Sequence, residues 1–209
     1  MNSKTLSIEG GVMVLVPIEK LDPIPMMILY AINAANGRTV NETHLQKILF
    51  QTMKVLNIDP DDVGFRAHYY GPYSDTVKEH EDSLKTLGYL TEKNRKITIT
   101  DDAKEDVSRM ELPDDVLAYK IKMVADNLTK LTNDELLLLI YWDDMTYNDG
   151  KYLENSTIKD NILKKRVGLS MDMYRSKKMS LERSSELAGM NIRDFKELLL
   201  NTYGAVYVD

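Results

Sequence analysis

The chain has 209 residues, 43% of them hydrophobic, with no cysteine and a formal net charge of −6. That is enough apolar material for a packed core in one large or two to three small domains, which excludes bulk disorder; the lack of cysteine removes disulfides, thiolate zinc sites and cysteine nucleophiles together. The longest apolar runs, such as Leu136–Trp142, are far too short to span a bilayer, and Met1–Gly11 carries one lysine and no long apolar core, so no membrane segment or signal peptide is expected and the expected location is the cytoplasm.

In chain order, Leu6–Ile18 contains Gly10-Gly11 and the apolar run Val12-Met13-Val14-Leu15-Val16, which reads as a strand or a hairpin arm. Pro23 and Pro25 end that stretch and open a helix over Met26–Asn36, closed by Gly37. Asn41 is placed to cap a second helix, Glu42–Leu56, whose Leu45, Ile48, Leu49, Met53 and Leu56 form one apolar stripe. A turn at Asp59–Asp62 and a short strand over Phe65–Tyr70, broken by Gly71-Pro72, lead to Ser74, the expected cap of a third helix through Thr86 with Val77, Leu84 and Leu87 inward. Gly88 stops that helix, and Tyr89–Thr91 and Lys96–Thr100 then make a β-hairpin around the polar turn Glu92–Arg95. Thr100 is a candidate cap for a helix over Asp101–Met110, and helix, helix, helix, hairpin is the element order of a winged helix.

Glu111-Leu112-Pro113 is the first boundary. Helices follow at Asp114–Lys130 and Asn133–Thr146, the latter capped by Thr132 or Asn133, then a turn at Asn148-Asp149-Gly150, a break at Asn155-Ser156-Thr157, a helical stretch over Ile158–Ser176 and a final unit from Ser180. The expected fold is mainly α: a winged-helix-like domain at residues 1–110, an acidic helical segment at 111–158 that either stands alone or packs on it, and a helix-turn-helix domain at 159–209.

The charge is unevenly distributed. Residues 111–158 hold ten acids against four bases, whereas residues 159–209 hold ten bases against seven acids and are the only net basic part, hence the first candidate for contact with phosphate. Within that quarter, Ser180 can cap a short helix, Leu181–Leu187; Gly189 stands where the chain must turn sharply with a positive φ; and Asn191 can cap the next helix, with Asp194 three residues on. Ser185 is small enough for close helix approach, and Ile192, Phe195 and Leu198 are expected to face back onto the first helix. Small residue, turn glycine and apolar anchors are what a helix-turn-helix requires, although the same geometry also serves simply to pack two short helices. From Arg166 to Val208 the segment resembles a small prokaryotic antitoxin-like family through Tyr174, Met179-Ser180-Leu181, Glu186-Leu187-Ala188-Gly189-Met190, Phe195 and Leu199, with Ser184-Ser185 where that family often has two alanines. The resemblance implies a DNA-binding or antitoxin-type role and transfers no catalytic residue.

Candidate DNA contacts are Lys177, Lys178, Ser180, Arg183, Asn191, Arg193 and Lys196, within a basic neighbourhood that also includes Lys164-Lys165-Arg166 and Arg175. Glu182, Glu186, Asp194 and Glu197 oppose them, so binding is expected to be salt-sensitive and to use a homodimer on double-stranded DNA.

The N-terminal motifs are Leu45-Gln46-Lys47-Ile48-Leu49-Phe50, Tyr70-Gly71-Pro72-Tyr73-Ser74, Leu87-Gly88-Tyr89-Leu90 and Ile99-Thr100. Through them this unit resembles prokaryotic winged-helix-related domains and, distantly, the Panacea antitoxin domain, which has a comparable Leu-Gln-Lys-Leu-Leu helix and Tyr-Gly-Pro turn but usually valine where Tyr73-Ser74 stand here. Asp75–Thr86 exposes four acids against two bases and favours protein over phosphate, whereas Arg95 and Lys96 in the wing are candidate backbone contacts. Tyr69, Tyr70 and Tyr73 either anchor a protein interface or pack the turn onto the core.

No enzyme signature emerges. His44, His68 and His80 fall in no metal-binding spacing, Asp143-Asp144 reads as a solvated helix end, and neither a phosphate-binding loop nor a nucleophile elbow is present. No catalytic residue, metal or cofactor is expected. The sequence points to a DNA-binding regulator, of the antitoxin type if the resemblance is followed, and alternatively to a protein-interaction adaptor or toxin-neutralising module that leaves DNA alone.

Overall fold

A computed structural model of the chain describes residues 8–9, 12–13, 17–147, 153 and 155–204. The fold is mainly helical, with ten α-helices and three two-stranded antiparallel sheets among the described residues. None of the described helices is long and apolar enough to cross a membrane.

Ile8–Glu9 (β1) pairs antiparallel with Val12–Met13 (β2); the rest of the expected extended arm up to Val16 lies outside the described residues. Helix α1 (Pro23–Ala34) starts three residues before the expected Met26, with both prolines inside its first turn. The reason is chemical: the first N–H groups of a helix have no intrahelical acceptor, so proline's missing donor is harmless there.

Helix α2 (Glu42–Val55) is capped by Asn41, whose Oδ1 accepts from the His44 N–H at 2.9 Å. Every residue from His44 to Phe50 is buried. A helix enclosed on all sides must satisfy its polar side chains internally. His44 bridges Asn41 and the Leu131 carbonyl, Thr52 donates to Ile48 O, and Gln46 and Lys47 reach the loop before α3.

The short 3-10 turn Pro60–Val63 is followed by Phe65–Arg66 (β3), paired with Tyr73–Ser74 (β4), so the strand expected up to Tyr70 is only two residues long. The chain turns instead, the Gly71 N–H returning to His68 O at 3.0 Å, and the returning strand is held by Gln46, whose side-chain amide forms a two-way hydrogen-bonded pair with the Ser74 backbone, 2.9 and 3.0 Å. Lys47 Nζ donates to Pro72 O at 2.6 Å. Gly71 (φ +77°) passes so close that an added Cβ would lie 3.0 Å from Ile140. Two of the motifs noted in the sequence, residues 45–50 and 70–74, therefore meet in space.

Helix α3 (Asp75–Thr86) is capped by Ser74, and Leu90–Lys93 (β5) pairs with Lys96–Ile99 (β6) around Asn94-Arg95, both at positive φ. That is the twist a two-residue hairpin turn needs. Helix α4 is shorter than expected (Lys104–Ser108), because the Thr100 hydroxyl donates to Gly88 O, fastening the hairpin, and caps nothing.

Helix α5 (Asp115–Leu128), capped by Asp114, lies along α1 and α2 and shares their core. Helix α6 (Asn133–Tyr147) opens with a capping box: Glu135 Oε2 accepts from the Thr132 N–H at 2.6 Å and Thr132 Oγ1 from the Glu135 N–H at 3.3 Å. The expected turn Asn148-Asp149-Gly150 lies outside the described residues. Beyond it, Ser156 caps α7 (Thr157–Lys164), and the single helix expected over Ile158–Ser176 is broken at Lys165, where α8 (Arg166–Arg175) begins. Helix α8 has two apolar faces, Leu169 and Met173 on the main core and Val167, Met171 and Tyr174 on a second, smaller one. The last two helices, α9 (Leu181–Ala188) and α10 (Ile192–Tyr203), complete that second core with Ala188, Phe195 and Leu199.

Candidate nucleic-acid interface

The turn between α9 and α10 is built by local chemistry. Ser180 Oγ accepts from the Arg183 N–H and caps α9; Gly189, at φ +71°, closes it, with the Met190 N–H returning to Ser185 O. Asn191 Oδ1 accepts from the Asp194 N–H at 2.9 Å and starts α10, while its Nδ2 holds the Asp194 carboxylate at 2.6 Å. This is a left-handed glycine stop followed at once by a new N-cap. Ser184 and Ser185 are buried where the helices approach. Ser185 Oγ donates to Glu182 O, whereas Ser184 Oγ finds no hydrogen-bond partner among the described residues. An unsatisfied buried hydroxyl costs more than the methyl that would replace it, so Ser184→Ala is expected to stabilise the fold by about 1 kcal/mol, read from the urea midpoint; a lower midpoint would contradict it.

Packing on α10 differs from the expected spacing. Phe195 and Leu199 are fully buried and Leu198 partly so, but Ile192 is 42% exposed. Residues four apart stand about 40° apart around a helix and bear the contact together. The outward side carries Arg193, Lys196, Glu197 and Leu200, all exposed.

Arg166 completes the turn. Its Nε donates to Leu187 O at 2.8 Å and its Nη2 to Glu186 O at 3.4 Å, which places a cation on the C-terminal carbonyls of α9. The guanidinium also lies 4.3 Å from the centre of the Trp142 ring and fills the space an added Cβ on Gly189 would enter. Nothing local in the sequence marks this role.

The basic neighbourhood is largely engaged within the molecule. Lys165 pairs with Asp134 at 3.0 Å, Lys178 with Glu135 at 2.7 Å, and Arg183 with both Asp143 and Glu186. Arg175 pairs with Asp172 at 3.7 Å and lies over Tyr203. The acid-rich middle and the base-rich end thus form one seam, α6 against α8, α9 and the turn between them. Burial pushes the Asp143 carboxyl up, against the pull of Arg183. Lys164, Lys177, Arg193 and Lys196 form no ion pair with a described residue. Among the expected DNA contacts, then, Arg193, Lys196 and Lys177 stand open, Asn191 and Ser180 act as caps, and Lys178 and Arg183 are held by carboxylates.

In the N-terminal part, both lysines of α3 are tied to acids: Lys78 to Glu81 and Asp82, Lys85 to Glu81 and Glu92. In the hairpin, Arg95 is exposed while Lys96 Nζ donates to Gly37 O at 3.2 Å. His68 is surrounded by Tyr69, Tyr70 and Tyr73, ring centroids 6.0, 6.2 and 5.1 Å away. The backbone of this loop is anchored, Tyr69 O accepting from Tyr141 and from Ser156, while the Tyr69 and Tyr70 side chains are exposed and Tyr73 is half-buried. Among the described residues no group of three His, Asp or Glu side chains is placed to hold a metal.

In comparison with known proteins, no family model, curated protein or solved structure matches the chain.

Proposed function

We propose that the chain is a DNA-binding regulator of the antitoxin type, in which α9 and α10 act as a helix-turn-helix and α10 enters the major groove. The observation that carries this reading is the outer face of α10: Arg193 and Lys196 exposed and free of ion pairs, one turn from a helix start fixed by Asn191. A cation near the leading end of such a helix is suited to base edges and phosphates alike. The elements α1 to α3 with the β5–β6 hairpin are read as a winged-helix-like unit that contacts protein, since α3 has no lysine free of acids. The regulator works in the cytoplasm as a homodimer on two half-sites.

With so many bases engaged in the seam, few phosphate contacts remain, and a log–log salt slope of roughly −2 to −4 per protomer is expected. Fluorescence polarisation on duplexes from the chain's own promoter region tests the assignment. Arg193→Ala with Lys196→Ala is expected to weaken binding about tenfold to a hundredfold; unchanged binding would remove α10 from the role. A second reading, a protein-interaction or toxin-neutralising module, is favoured by one specific feature, the pairing of the basic neighbourhood with α6. Absence of any salt-dependent DNA binding, together with co-purification of a neighbouring gene's product, would select it.

A further inference from the structure

Between the helical body and the start of α9 lies a cleft of about 450 Å³, within the size range of small-molecule sites, roughly 300–1,000 Å³. Its floor is apolar and buried, made by Val124 and Leu128 of α5 with Leu131, and Leu139 of α6 and Met179 close its sides. Four separate parts of the chain meet there: α2, α5, α6 and the turn that leads into Ser180. A mainly apolar hollow with a few polar groups at its mouth is the usual form of a ligand site.

The polar groups decide the chemistry of the occupant. The two charged side chains at the cleft, Lys178 and Asp143, are already paired, with Glu135 and Arg183 respectively. A charged ligand would be desolvated without meeting an open counter-charge. The amides of Gln51 and Asn127, by contrast, form no hydrogen bond with a described residue and can serve a hydroxyl, carbonyl or amide. We infer that this cleft binds a small, uncharged, mainly apolar molecule bearing one or two hydrogen-bonding groups. Its occupant touches Met179 and Ser180, the residues that lead into and cap α9. The site stands independently of whether the chain binds DNA.

The test uses two probes with the same aromatic skeleton, neutral N-phenyl-1-naphthylamine and its anionic sulfonate analogue 1-anilinonaphthalene-8-sulfonate, titrated into the full chain with direct excitation of the dye. Saturable binding of the neutral probe at one site is expected, with the sulfonate weaker by about tenfold or more. Val55→Trp and Asn127→Trp add bulk at the rim from α2 and from α5, at positions exposed enough to leave the core intact. Each is expected to weaken the neutral probe by about tenfold, whereas Val116→Trp, at an exposed position of α5 that does not line the cleft, leaves it unchanged. No saturable binding, equal affinity for both probes, or binding indifferent to both rim variants would each overturn the inference.

Discussion

Between about pH 7 and about pH 9 the folded chain is expected to gain about 2 kcal/mol of stability, and Lys47→Met is expected to abolish that gain. The cause is burial. Lys47 is 1% exposed and its ammonium is pushed down to about 7, first by desolvation, with Glu42 acting in the opposite direction. A lysine ammonium offers three donors, and here a single acceptor is found, Pro72 O. Because the folded-state value lies below the unfolded one, the unfolded chain binds more protons throughout the interval between them. Stability therefore rises as pH rises through that interval, and the full cost of the buried charge is felt below it. The window is well isolated. His44 and His68 are both held down by burial first and titrate at lower pH, while burial pushes the Tyr73 and Tyr141 phenols up, beyond it. Urea denaturation at the two pH values measures the difference directly. A wild-type curve flat across the window, or a Lys47→Met variant that keeps the slope, would show that Lys47 is solvated in a way its burial denies.

Lys47 also shows where sequence reading stops. The caps at Asn41, Ser74, Ser180 and Asn191 and the stop at Gly189 were legible because each is a short-range hydrogen bond or a single backbone angle, carried by the residue itself. The hairpin was legible because alternation and a polar turn are local as well. The 3–4 pattern over 42–56, however, assigns Leu45, Ile48, Leu49, Met53 and Leu56 to the core, of which Leu56, just past the end of α2, is only half-buried, and leaves Gln46 and Lys47 outside. Both are buried, because a second layer, α6 and the loop before α3, covers the back of that helix. Periodicity reports one buried face and cannot register a helix enclosed on two. The break at Lys165 escaped for a related reason: helical signals continue on both sides, and only the presence of two cores tells the chain to bend.

The candidate interface was legible in outline and misleading in its charge. A surplus of bases in residues 159–209 says nothing about where their partners are, and Asp134, Glu135 and Asp143 stand 31 to 43 positions away in sequence from Lys165, Lys178 and Arg183. Counting charges measures supply, whereas a phosphate meets only what pairing leaves open. Three ion pairs of this kind, the Lys178 and Arg183 pairs partly buried and the Lys165 pair exposed, join α6 to the C-terminal part and subtract from the field that the composition suggests.

Gly189→Ala is expected to destabilise the fold by about 3 kcal/mol, and most of that is expected to depend on Arg166. Two costs combine. The backbone holds φ +71°, where any side chain other than glycine is disfavoured by roughly 1–2 kcal/mol. The new Cβ would also lie 2.7 Å from the Arg166 Cζ and closer still to one of its nitrogens, so the guanidinium must leave. Leaving breaks its hydrogen bonds to Leu187 O and Glu186 O and its stacking on Trp142, together worth roughly 1–2 kcal/mol at a partly exposed site. A double-mutant cycle separates the two. In an Arg166→Ala background, Gly189→Ala has no guanidinium to displace and should cost only the backbone share, giving a coupling energy of about 1–2 kcal/mol. Strict additivity of the two substitutions would mean that Arg166 does not constrain the turn. The same cycle bears on the proposed interface, because Gly189 and Arg166 fix the angle at which α10 leaves α9 and hence where Arg193 and Lys196 stand. A Gly189→Ala chain that stays folded should therefore bind DNA more weakly than the loss of either cation alone explains, since it misplaces both at once.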